Sequence, residues 1–343
     1  MIGGGLRALA AARRVRDDVA AVDAVAGTVE RLAVLMSAGV PAPAAWRHLA
    51  TDAPDDPVLS AAAGAAEDGE PIAPALARVL EDQPEPRRRV WSRGARRRIA
   101  VRAVEAAGGA AWSALAAAWA VASQTGAPLA ASLRDLAGSL RDDAQLRREV
   151  RAALAGPRAS AKLVTGLPLV AVGFGLVLGF DTAAVLFGNP LGWACLVFGS
   201  ALLWAGARWN RALAARAAPP TASPGLELDL LAIAMSSGAA VDSAIAVTRH
   251  AVSTHLPGAV AADHDVAAAV RIATRAGVPI AELLRAEANR HRRAARADGA
   301  VRAAALSVRL MVPLGVCILP AFVLLGVAPL MISVVTGTLG GVR

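Results

Sequence analysis

The sequence predicts an all-α membrane protein: cytoplasmic antiparallel helical bundles with about three transmembrane helices. Three observations carry that fold class. Apolar residues make up 56% of the 343 positions and charged residues 18%, whereas ordinary soluble domains hold about 45–50% and about 25%. Three stretches, 163–180, 182–207 and 310–342, contain no Asp, Glu, Lys or Arg, and roughly 20 apolar residues suffice to cross about 30 Å of hydrocarbon. Elsewhere apolar side chains recur at helical spacing, and no convincing alternating strand appears.

Segment 1–161 reads as a first cytoplasmic helical bundle. Val19, Val22, Val25, Val29, Leu32 and Met36 form one apolar stripe, and Leu129, Leu133, Leu136 and Leu140 another, each on one face of a helix. Its opening thirty residues hold basic side chains but no apolar core of signal-peptide length, so the N-terminus is expected to stay cytoplasmic.

Segment 162–207 reads as a transmembrane hairpin. Its connection, DTAAVLFGNP, carries one acid and no base, while both flanks are rich in arginine. The positive-inside rule therefore turns the tip outward and leaves both large polar segments in the cytoplasm. Segment 208–225, with AAPPTASPG, reads as a linker, 226–308 as a shortened second bundle, and 309–336 as a C-terminal span. Pro313, Pro320 and Pro329 interrupt that last run, which fits either one kinked, tilted helix or a re-entrant pair.

The bundles share a local signature. Gly39-Val40-Pro41, Gly69-Glu70-Pro71, Gly126-Ala127-Pro128 and Gly277-Val278-Pro279 are each followed, five residues after the proline, by Trp46, Leu76, Leu133 or Leu284. Glycine can end one helix in the left-handed conformation, and proline fits the first turn of the next, where its missing N–H costs nothing. The large apolar residue then turns back toward the preceding helix. One of these phrases occurs twice at length: Gly126, Pro128, Leu133, Arg134 and Arg141 map onto Gly277, Pro279, Leu284, Arg285 and Arg292 at a constant offset of 151. Each copy leads into an uncharged run with a proline, Pro168 or Pro313. The copies are unequal, because Gly39 lies 87 residues before Gly126 whereas Gly238, which lacks the proline, lies only 39 before Gly277.

VERLAVLMSAGVPAPAAW, TGAPLAASL, LAGPRASAKLVTGLPL and VRLMVPLGVCILPAFVLLGVAPLMISVV resemble the type II secretion system F domain family. More narrowly, they resemble the TadB/TadC-type platform proteins of tight-adherence (Flp) pili, with a TadB-type half up to about Arg216 and a TadC-type half from about Leu226. The resemblance implies a multi-pass plasma (inner) membrane scaffold that associates with copies of itself. It also implies contact with a cytoplasmic secretion ATPase and transfer of that ATPase's motion to pilin subunits leaving the bilayer. A platform of this kind needs no catalytic side chain and no cofactor.

The residues themselves offer little chemistry. No Ser/His/Asp, Cys/His or paired-carboxylate set stands out, so no catalytic, cofactor-binding or metal residue is assigned. His48, His250, His255, His264 and His291 are scattered, and Cys195 and Cys317 sit in uncharged runs as small apolar residues. The segment RRRVWSRGARRR, 87–98, fits a solvated or lipid-facing loop, an acidic protein partner or nucleic acid; the last is disfavoured, because aromatic residues make up 3% of the chain. Asp181 reads as a loop or cap residue, with a proton relay as the sharper alternative. The net charge of +9 suits anionic lipid or an acidic partner surface. Arg134, Arg141, Arg147 and Arg148, presented opposite the leucine stripe, are the candidate partner contacts. A small multi-pass transporter or channel component is the alternative function.

Overall fold

The computed structural model describes residues 3–81, 95–177, 190–216, 223–256, 263–329 and 331. Among them no strand occurs. The helices are α1 (Gly3–Ser37), α2 (Ala42–Asp52), α3 (Pro57–Glu67), α4 (Ile72–Glu81), α5 (Ala95–Thr125), α6 (Leu129–Val177), α7 (Pro190–Arg216), α8 (Leu226–Met235), α9 (Val241–His255), α10 (Asp263–Ala276) and α11 (Ile280–Arg309). After α11 come α12 (Met311–Pro313), a π-helical stretch Leu314–Ile318, α13 (Leu319–Phe322) and a second π stretch Val323–Val327.

The chain divides into two units, residues 1–148 with 220–296, and residues 149–219 with 297–343. The sequence boundaries at 161 and 226 separate two bundles, but the structure joins them: one apolar core runs from Val19 through Leu140 to Leu284 and Ala288. The reason lies in α8. Leu226, Leu228, Leu230, Leu231, Ile233 and Ala234 are all buried, so this helix is covered all round, as only a central helix is. It packs on α5 and α9, and α5 also packs on α1, α4 and α9. A short second bundle has too few helices to bury α8 by itself and borrows α5 from the first.

The four glycine turns share one geometry. Gly39, Gly69, Gly126 and Gly277 have φ of 87°, 73°, 72° and 65°. In each, the next residue's N–H (Val40, Glu70, Ala127, Val278) donates to the carbonyl five back (Leu35, Ala65, Ala122, Ala273) at 2.8 to 3.3 Å, which closes the helix end. The prolines stand one position earlier than the first-turn placement expected from the sequence. Pro41 caps α2 in extended conformation, and the Pro41, Pro128 and Pro279 carbonyls accept the first helical bonds from Ala45, Ser132 and Glu282. Trp46, Leu76, Leu133 and Leu284 are at most 1% exposed. Gly238 makes the same kind of bend, φ 81°, without a proline; there the Ser237 hydroxyl accepts from the Ala239 N–H.

The second unit is built differently. Gly192, Gly199 and Gly206 are buried at seven-residue spacing on α7. A Cβ on Gly199 would stand 2.5 Å from Leu325 Cγ, and one on Gly206 would stand 3.0 Å from Cys317 Cβ. As α7 is followed forward, its partner is met in reverse, so the two helices are antiparallel. Small residues let them approach closely, and large ones face outward. Among the described residues every exposed large apolar side chain except Val34, Ile272 and Val278 belongs to this unit, including Trp193, Phe198, Trp204, Met311, Val316 and Leu319. An apolar exterior over a small-residue seam is what a hydrocarbon solvent selects.

One helix among the described residues, Ile280–Val327, is long and apolar enough to cross a membrane. The expected count of three therefore rests on the sequence, and the hairpin tip with Asp181 lies outside the described residues. Of the two expectations for the last apolar run, one helix holds through Val327. Each π stretch ends two residues before a proline, Pro320 or Pro329. Those prolines lack the N–H that the Val316 and Leu325 carbonyls would use, and a widened turn accommodates the gap.

Candidate functional site

In the first unit the two copies of the repeated phrase come together. Arg285 Nε donates to Asp135 Oδ2 at 3.0 Å, Arg292 Nε lies 3.6 Å from Asp142 Oδ2, and Arg296 Nη2 donates to Asp142 Oδ1 at 2.9 Å. Acids seven residues apart on α6 thus meet arginines seven apart on α11, which sets the starts of the two helices parallel and in register.

A second correspondence is internal to each copy. Glu30, Leu32, Ala33, Met36, Ser37 and Gly39 align with Asp229, Leu231, Ala232, Met235, Ser236 and Gly238 at an offset of 199. Arg141 binds Glu30 with both terminal nitrogens, and its counterpart Arg292 donates to Asp229 Oδ2 at 2.6 Å. The structure therefore holds one ion pair twice, between the helix that ends at the first glycine and the helix that begins after the second.

The two versions sit in different surroundings. Glu30 and Arg141 side chains are 42% and 49% exposed, whereas Asp229 and Arg292 are 12% and 11% exposed. The bond from Arg141 holds the Glu30 carboxyl below its ordinary range. Burial pushes Asp229 above the usual carboxylate range, against the lowering pull of Arg292. The same small pocket holds Asp143, which pairs with buried Arg147 at 3.0 Å and accepts from the Ser223 hydroxyl at 3.2 Å.

α5 from Ala100, the Gly126 turn and the whole of α6 form one continuous segment of this arrangement, and it is here that a known family is met. Residues 100–177 match the family model for the type II secretion system (T2SS), protein F. No curated protein and no solved structure matches the chain.

The matched segment contains all four arginines expected to face a partner, and three of them are engaged within the chain. Arg141 and Arg148 bind Glu30 and Asp23 and so fasten α6 to α1, and Arg147 is 7% exposed. Only Arg134 is both exposed and without a partner among the described residues. The register that sends Leu133, Leu136 and Leu140 inward brings the arginines on the flanks of the stripe against α1, which sequence periodicity does not reveal.

The remaining candidates stay apart. Segment 87–94 lies outside the described residues, as do the side chains of 95–98 and of His264. His48 and His250 are exposed on different helices, and His291 Nε2 lies 3.7 Å from Glu287. Burial, and then nearby His250, lowers the pKa of His255. No group of three His, Cys, Asp or Glu among the described residues could hold a metal ion, and Cys195 and Cys317 are free thiols.

Two features escaped sequence reasoning. Gly225, placed in the linker, has φ 78°, and a Cβ there would come within 2.8 Å of the Ala288 carbonyl oxygen. Asp229, the second acid in LELDLLAIAM, is the charge that α8 carries into the core. An acid within a nearly continuous apolar run is the signal that could have marked it.

Proposed function

We propose that the protein is a plasma-membrane platform of a type II secretion-like or Flp (tight-adherence) pilus machine. It couples a cytoplasmic secretion ATPase to the extraction and assembly of pilin subunits. The observation that carries this reading is the T2SS protein F match over residues 100–177, because that family typically forms membrane platforms of secretion and pilus machines. The apolar exterior of the second unit supports the membrane assignment. The twice-built ion pair supports a two-half architecture of TadB and TadC type.

In this reading residues 1–162 and 208–309 face the cytoplasm, and the runs 163–180, 182–207 and 310–342 span the bilayer. α6 and α11 carry the chain out of the shared core, and ion pairs lock their starts together, so a push from the ATPase on one is delivered to both. The scaffold works as a homo-oligomer, contacts anionic lipid through its arginine-rich segments, and performs no chemistry of its own.

Deleting the gene and scoring surface pili tests the role. Pilin retained in the membrane without surface pili, restored by the full chain and accompanied by co-purification of the ATPase, is the expected result. Normal piliation in the deletion strain would sink it. Arg134→Glu is the appropriate surface variant for the ATPase contact, with loss of co-purification expected while membrane insertion persists.

A further inference from the structure

The two repeats differ most where their cores ought to match. In the first, Trp46 of α2 and Trp119 of α5 pack together, ring centroids 5.5 Å apart with planes tilted 56°, and both are buried. The offsets that align the ion pairs, 199 for the first two helices and 151 for the last two, place Ile245 at the position of Trp46 and Val270 at that of Trp119. They also place Thr248 at Leu49 and Val266 at Leu115. Every one of these changes removes apolar volume.

Among the described residues the volume is not taken up by a neighbour. A cavity of about 440 Å³ lies between α8, α9 and α10, with Leu231, Ile245, Thr248, Val266 and Val270 in its wall. Thr248 is 2% exposed, and its buried hydroxyl has no hydrogen-bond partner among the described residues, although a buried hydroxyl normally finds one. On the same helix, α10, Ile272 is 54% exposed, while its counterpart Val121 is fully buried. Topology gives the cause. In the first repeat α3 and α4 follow α2 and pack against α2 and α5; in the second, only residues 256–262 separate α9 from α10. The two-helix cover and the pair of indoles are missing together.

We propose that this cavity is a docking site for an aromatic side chain, of tryptophan type, presented by a helix of a partner polypeptide. The first repeat shows which chemistry fills the equivalent space: an indole carried on an alanine-rich helix. The partner's helix would lie over Val266 and Val270 of the cavity wall. A large aromatic anchor in a desolvated pocket, rimmed by charges such as Asp242 and Arg271, is the usual build of an interaction hot spot.

The test uses the purified full-length chain in detergent and three probes: indole, a labelled peptide spanning residues 39–69 with Trp46, and the same peptide with Trp46→Ala. Calorimetry follows indole and fluorescence anisotropy follows the peptides. Saturable binding of indole and of the tryptophan peptide is expected, with the alanine peptide at least about tenfold weaker, the size of effect an aromatic anchor commonly carries. Val270→Trp, which refills the cavity from inside, should abolish binding of both; Ile245→Phe serves the same purpose should Val270→Trp fail to fold. Absence of binding by both probes overturns the proposal, as does peptide binding that ignores the loss of Trp46 or the filled cavity. Indole binding without peptide binding also overturns it, because the cavity would then be a small-molecule site.

Discussion

Replacing Arg292 with leucine leaves the Asp229 carboxyl without its guanidinium partner inside α8's surroundings, where its side chain is 12% exposed. Asp142 keeps Arg296 at 2.9 Å, so the loss falls on Asp229. Breaking one side of a buried pair costs about 3–5 kcal/mol. At about 2–4 °C per kcal/mol for a body of this size, the melting temperature should fall by about 6–20 °C. Thermal unfolding of the full chain in detergent, followed by tryptophan fluorescence, reads this directly. Arg141→Leu removes the exposed version of the same pair and should lower the melting temperature far less, since solvent screens it. The double variant Asp229→Leu/Arg292→Leu should recover much of the loss, because an apolar pair carries no desolvation cost. The pH dependence has a definite sign. Asp229's carboxyl is raised above its unfolded value, so its favourable contribution is complete below the unfolded pKa and is lost as pH rises through the folded one. Arg292→Leu should raise it further, and the gap to wild type should narrow as pH falls from 7 toward about 4. Equal losses for Arg141→Leu and Arg292→Leu, or a double variant no better than the single, would refute the reasoning.

Gly225→Ala combines a left-handed backbone with a Cβ within 2.8 Å of the Ala288 carbonyl oxygen and should cost well over 1 kcal/mol, whereas Gly238→Ala, with open space around its Cβ, should cost about 1 kcal/mol; the two melting temperatures decide. Gly199→Leu should disrupt the α7 seam through Leu325, while Gly173→Leu, with nothing near its Cβ, should be tolerated, as judged by yield and melting temperature in detergent. Acid should weaken the α1–α6 tie: the Glu30 carboxyl is depressed by Arg141, so its contribution is present above the unfolded pKa and lost as pH falls through the folded one. That acid-dependent loss should vanish in Arg141→Leu. Thiols engineered at Thr182 and Ala222 test topology: only the first should react in intact cells, and labelling at Ala222 alone would overturn the proposed orientation.

The local part of this fold was legible in the sequence because local chemistry causes it. Gly39, Gly69, Gly126 and Gly277 end helices through their own backbone freedom, and the residue five after each proline is buried because helical geometry returns it to the preceding helix. What was hidden depends on pairings across long separations. Nothing in the sequence near Arg141 points to Glu30, 111 residues away, and a surface role for Arg148 was as consistent with its helix as the bond to Asp23. Gly225 was read as linker because Pro and Ser surround it, although its need for φ > 0 against Ala288 arises only once α8 and α11 are packed. The two-bundle division failed for a related reason: composition marks where polar segments begin, but not that α8 needs α5 to cover it.

The repeated ion pair and the unrepeated tryptophan pair argue for different constraints on the two halves. A salt bridge between an early helix and the helix after the second glycine fixes register between them, and the chain has it in both repeats even where burial makes it costly, at Asp229 and Arg292. Filling the space behind it is a separate matter of volume, and there the repeats diverge: Trp46 and Trp119 close the first, while Ile245, Thr248 and Val270 leave the second open. Register within each repeat, α1 against α6 and α8 against α11, is therefore the property both repeats hold. Closure of the core is the property in which they differ: the tryptophan pair of the first repeat has no counterpart at Ile245 and Val270, which line an open cavity.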